Sequence, residues 1–78
     1  MSQFPTMKSR KLLGILLRKP LSYDIIRTHG SHRILSSEKY PQLLYSFHDS
    51  IELSGHQVQR VLLDEVGLTI REALEVIR

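Results

Sequence analysis

Tyr23-Asp24-Ile25-Ile26-Arg27-Thr28-His29-Gly30-Ser31-His32-Arg33 decides how the rest of the chain is read. Tyr23 to Thr28 is rich in aromatic and β-branched side chains, which fit a pleated, half-buried surface. Gly30 follows, and glycine takes a positive φ without steric cost, so the chain reverses tightly there. His32-Arg33-Ile34-Leu35 opens a second short strand. The spacing predicts two strands, Tyr23–His29 and His32–Ser36, with a histidine and an arginine at the corner between them. Such a turn fixes the direction of its flanking side chains, as a catalytic or phosphate-binding group requires. Alternation puts Asp24, Ile26 and Thr28 on one face and Tyr23, Ile25 and Arg27 on the other. Neither set is purely apolar, so the pattern alone does not choose the core face.

N-terminal to this corner, Leu12, Leu13, Leu16 and Leu17 recur with helical spacing between Arg10 and Lys19. Ser9 is placed to cap that first helix, Arg18 and Lys19 suit its negative end, and Pro20 stops it. Residues 1–7 lack periodicity, contain Pro5 and read as a flexible lead-in.

C-terminal to the corner, residues 37–41 form a loop and Leu43 to His48 a third strand, so short links imply an antiparallel meander. Asp49 to His56 is polar and turn-prone. A second helix carries Val58, Val61, Leu62 and Val66 on one face, and Gly67 fits the left-handed position that closes it. Thr69 and Glu72 make a capping box for a third helix bearing Ile70, Ala73, Leu74 and Ile77. The expected fold is α+β in the order α-β-β-β-α-α. It is a single domain over 1–78 whose three-stranded sheet has helices 1 and 2 on one face and the other face open.

Seventy-eight residues bury a limited core; a chain of this size hides only roughly 60% of its unfolded surface. Chemistry is therefore expected on an open face, which favours a polymeric substrate over a small molecule. There is no cysteine, so disulfides and thiolate metal sites are excluded. The apolar run Leu12–Leu17 is far short of the roughly 20 residues that span a bilayer. MSQFPTM lacks the pattern of a secretory signal. The expectation is a soluble cytoplasmic protein without membrane association. The net charge of +3 is unevenly spread. Residues 1–39 hold eight Lys/Arg against Asp24 and Glu38, and residues 40–78 hold Arg60, Arg71 and Arg78 against six acids. The basic half contains the His-Arg corner and would draw a polyanion there; an ordinary solvated surface is the other account of the same asymmetry.

Lys8-Ser9-Arg10 before a leucine-rich helix, then a strand, then Gly30-Ser31-His32-Arg33, resembles the HicA family of bacterial toxins. His48-Asp49-Ser50-Ile51-Glu52-Leu53, followed by Val58, Leu62 and Gly67-Leu68-Thr69, resembles that family's third strand and second helix. Together these motifs cover most of residues 7–77. The chain departs where relatives carry valine-proline before the later histidine, since Tyr45-Ser46-Phe47 stand here, and His56 follows Gly55 in place of threonine. The resemblance implies a fold like that of double-stranded-RNA-binding domains and a toxin endoribonuclease acting on mRNA. It also implies neutralisation by a HicB-like antitoxin and a functional histidine in the glycine-serine-histidine motif, here His32.

RNA supplies its own nucleophile in the 2′-hydroxyl, so cleavage needs proton transfer and charge stabilisation at phosphorus. Histidine serves either proton-transfer role near neutral pH, worth about 10²–10⁴-fold. Arginine or lysine holds the phosphate. The candidate catalytic residue is His32, and the candidate phosphate ligands are Arg33, Lys11, Arg27, Lys8 and Arg10. Neighbours in a strand point to opposite faces, so Arg33 is either such a ligand or a residue of the other face. His29 reads as a turn residue, His56 as an exposed residue near helix 2, and His48 is open between roles. No metal or cofactor is expected, because the four histidines match no familiar ligand spacing. Tyr23, Tyr40, Tyr45 and Phe47 read as packing residues rather than base-stacking platforms. A non-catalytic RNA-binding module of the same fold is the rival account, and an adaptor that pairs through its sheet edge is a third.

Overall fold

A computed structural model describes residues 3–78 of the chain. The elements are β1 (Met7–Lys8), α1 (Ser9–Leu17), β2 (Asp24–His29), β3 (His32–Ser36), β4 (Leu43–Tyr45), β5 (Glu52–Leu53), α2 (Gly55–Gln59) and α3 (Ile70–Val76). α2 widens directly into a π-helical segment, Arg60–Glu65. β2, β3 and β4 form the expected antiparallel meander in sequence order. β1 and β5 make a separate two-stranded ladder, Met7 opposite Leu53 and Lys8 opposite Glu52.

That second ladder corrects two expectations. From Phe4 onward the lead-in is not loose, because Phe4 and Met7 are buried in the core and Met7–Lys8 is a strand; Met1 and Ser2 lie outside the described residues. The polar stretch after His48 likewise contains β5, with Leu53 fully buried. Each strand has only two residues and its partner lies more than forty positions away, so no local periodicity announced either.

Ser9 does not cap α1 with its side chain. The amides of Ser9 and Arg10 donate to the carbonyls of Ile51 (2.8 Å) and Asp49 (3.1 Å), so the loop before β5 satisfies the helix start. The Ser9 hydroxyl is buried instead, 2.9 Å from the Tyr45 hydroxyl, and Tyr45 donates to the Ser9 carbonyl at 2.8 Å. α1 ends at Leu17, and the Arg18 guanidinium reaches across to the carbonyl of Val76 at 2.9 Å. It therefore completes the end of α3 rather than its own helix.

Other boundaries shift for similar reasons. Tyr23 lies just before β2, buried, with its hydroxyl donating to the Pro41 carbonyl at 2.7 Å. β4 stops at Tyr45, after which the chain turns away to meet the start of α1. α2 begins at Gly55 because Ser54 and Gln57 form a reciprocal capping box. The Thr69–Glu72 box that starts α3 is present as expected, and Gly67 has φ +90° at the close of the preceding helix. α3 buries Ala73 and Val76, while Ile70 faces outward.

The core joins Leu12, Leu13, Ile15 and Leu16 of α1 to Leu35, Leu43 and Tyr45 of the sheet. Leu53, Val58, Val61, Leu62, Val66, Leu68, Ala73 and Val76 complete it from the C-terminal half. The helices cover only the β3–β4 part of the sheet. Every residue of β2 is exposed, so this edge strand stands off the core. Among the described residues no helix is long and apolar enough to cross a membrane.

Two predictions concern these tyrosines. Tyr45→Phe leaves the buried Ser9 hydroxyl without its partner and should cost about 1–3 kcal/mol in urea unfolding. Adding Ser9→Ala to it should cost less than the sum of the single changes, because both break one interaction. Burial, and secondarily Tyr40, push the Tyr23 phenol from 10 up to about 12. Its folded-state value lies above its unfolded one, so the stability it contributes is intact below pH ~10 and is lost as pH rises towards ~12. Stability measured across that window should fall with pH, and less steeply for Tyr23→Phe.

Candidate functional site on the open sheet face

The register assigns each strand residue to a face. Arg33 stands opposite Tyr45, Ile34 opposite Leu44, and Leu35 opposite Leu43. Tyr45, Leu35 and Leu43 are buried against the helices, so Arg33 shares their side. Strand alternation then turns His32, Ile34 and Leu44 to the open side. In β2, Arg27 stands opposite Ile34 and His29 opposite His32, which brings both to the same open face. A bulge between Ile25 and Arg27 interrupts the simple alternation; it is why Arg27 lies with His32 although Ile25 pairs with Leu35 on the helix side.

The corner itself is a two-residue hairpin loop, Gly30-Ser31, with Gly30 at φ +63°. A glycine of positive φ at the first loop position suits the right-handed twist of the flanking strands. The loop makes His29 and His32 direct cross-strand neighbours, with Cβ atoms about 5 Å apart. Both are exposed, and neither side chain has a hydrogen-bond partner among the described residues. Arg27 is exposed on the same face, one row further in, or about 7 Å along the strand. It makes no ion pair among the described residues. Exposed Ile26 and Leu44 give this face an apolar component beside the charge.

The structure divides the expected phosphate ligands between two sides. Arg27 joins His32. Arg33 does not: its side chain is 18% exposed and its Nη1 lies 3.0 Å from Asp49 Oδ1, an ion pair without the alignment of a hydrogen bond. Lys8 donates to the Ser50 carbonyl at 3.1 Å. Arg10 and Lys11 line a shallow recess of about 300 Å³ with Lys8, Asp49 and Ser50. These four cations thus gather around a carboxylate at the start of α1, on the helix side. Burial pushes the Tyr45 phenol upward, and its bond to Ser9 and the nearby Arg33 only oppose that shift.

His48 and His56 are exposed and lie outside this face, His48 beyond the end of β4 and His56 in the first turn of α2. No three His, Cys, Asp or Glu residues gather as a metal-binding group among the described residues. Tyr23 and Tyr45 are core residues, as the packing account held, with Tyr40 and Phe47 packed against the core. His29, expected as a turn residue, is the last residue of β2 and the register partner of His32. The signal was present, since a two-residue loop in His-Gly-Ser-His makes the two histidines cross-strand neighbours.

Arg33 is a structural cation here. Arg33→Gln should destabilise the fold by about 1 kcal/mol in urea unfolding, since the pair is only partly buried. No protein-family model, curated protein or solved structure matches this chain.

Proposed function

We propose that the chain is an endoribonuclease that cleaves RNA through histidine acid/base chemistry on its open sheet face, with His32 as catalytic residue. The observation that carries this reading is the placement of an exposed His32 and an exposed Arg27 on one uncovered face of a small basic domain. Such a face is accessible to a polymer and offers a proton-transfer group beside a phosphate ligand. Its chemistry is the one RNA needs, because the 2′-hydroxyl supplies the nucleophile and the protein need only move protons and bind charge. The resemblance of Lys8-Ser9-Arg10 and Gly30-Ser31-His32-Arg33 to the HicA motifs supports the same conclusion. On that reading the α-β-β-β-α order is that of a double-stranded-RNA-binding domain, and the substrate is messenger RNA in the cytoplasm. The natural inhibitor is then a HicB-like antitoxin that covers His32. The exposed Ile26, Arg27 and Leu44 offer such a partner apolar area and positive charge on the same face.

The test is cleavage of a defined RNA by purified protein in EDTA. His32→Asn should lower the rate by about 10²–10⁴-fold while leaving the fold and RNA affinity intact. Arg27→Gln should weaken binding similarly for all sequences and reduce the slope of log K against log salt by about one. Salt-sensitive binding without cleavage by the wild type assigns the chain instead to the non-catalytic RNA-binding class.

A further inference from the structure

Cleavage of an RNA phosphodiester moves two protons on opposite sides of phosphorus. One leaves the attacking 2′-oxygen, and one must arrive at the departing 5′-oxygen. One imidazole does not reach both positions at once. The hairpin holds two. His29 and His32 are register partners across the Gly30-Ser31 loop, exposed on one face, and no protein group engages either side chain among the described residues. The pair sits at the end of the sheet farthest along the hairpin, where β2 has left the core and an RNA backbone meets no helix.

Resting on the nuclease reading above, we propose that His29 is a second catalytic residue and that His29 and His32 divide the two proton transfers between them. One imidazole, neutral, accepts the 2′-hydroxyl proton as the 2′-oxygen bonds to phosphorus. The other, as imidazolium, donates its proton to the 5′-oxygen as the phosphorus–5′-oxygen bond breaks. The products are a 2′,3′-cyclic phosphate and a free 5′-hydroxyl. No electrons are exchanged, and the two histidines finish with protonation states interchanged, to be restored through water. Arg27, on the same face, lies where it can offset the negative charge that builds on the phosphoryl oxygens.

Two features separate this arrangement from a single catalytic histidine. Two groups that must be in opposite protonation states give a bell-shaped pH dependence of kcat/KM. Loss of the donor is also bypassed by a leaving group that needs no proton. The experiment maps a site cut by the wild type, then compares normal RNA with RNA carrying sulfur as the 5′-bridging atom at that site. His29→Asn and His32→Asn are assayed on both substrates. His29→Gln and circular dichroism of all variants control for a disturbed hairpin.

The expected result is a loss of about 10²-fold or more on normal RNA for either variant, and one limb of the pH profile missing in each. One of the two, and only one, should regain near-wild-type cleavage of the sulfur-containing substrate, which marks it as the donor. Wild-type activity with both limbs in a folded His29→Asn overturns the pairing and leaves a nuclease centred on His32. Loss of activity with neither variant rescued by sulfur also overturns it, because no histidine then acts as the donor. Absence of cleavage by the wild type removes the nuclease reading and this pair with it.

Discussion

The hydroxyl of Tyr45, buried and bonded to both the hydroxyl and the carbonyl of Ser9, joins the sheet to the start of α1. Its consequences travel along the register. With Tyr45 inside, its cross-strand partner Arg33 must lie on the helix side, where it meets Asp49. The carbonyl of that same Asp49 accepts from the Arg10 amide, so helix start, loop and sheet are tied at one place. Because successive strand residues alternate, fixing Arg33 inward turns His32 outward. The exposure of the candidate catalytic residue is thus set by a buried tyrosine on the neighbouring strand.

The hairpin beyond this junction follows different physics. β2 contributes nothing to the core, and all six of its side chains are exposed. It is held by its ladder to β3, by the glycine-containing turn and by Tyr23 at its base, whose hydroxyl grips the Pro41 carbonyl. A strand that is free of packing demands on both faces can carry residues chosen for other reasons. Arg27 and His29 lie on that strand. The bulge between Ile25 and Arg27 brings Arg27 to the open face and would also hinder unintended pairing along this edge.

Charge is likewise sorted by the fold. The N-terminal half of the chain is basic in sequence, but its cations do not act as one surface. Lys8, Arg10, Lys11 and Arg33 surround Asp49 and Ser50, where the carboxylate and the backbone carbonyl already engage two of them. Of the five candidate phosphate ligands, Arg27 is the one that shares the face of His29 and His32. Lys19 and Lys39 line a recess beside Ile26 at the other end of β2.

The meander, the leucine helix, the capping box at Thr69, the left-handed Gly67 and the glycine corner between β2 and β3 are legible in the residues themselves. Each of these depends on neighbours within a few positions: apolar spacing, a turn residue, a hydroxyl three places before a carboxylate. The rest follows from contacts between distant segments. The β1–β5 ladder pairs Met7 with Leu53 across the length of the domain, and two residues per strand carry no periodic signal. The burial of Phe4 and Ser9, the reach of Arg18 to α3, and the exposure of β2 all depend on which distant segment arrives beside them. So does the division of the basic residues between two sides of the sheet. Alternation predicted that His32 and Arg33 part company, but which of them faces outward was settled by Tyr45, whose hydroxyl finds its partner thirty-six residues away in Ser9.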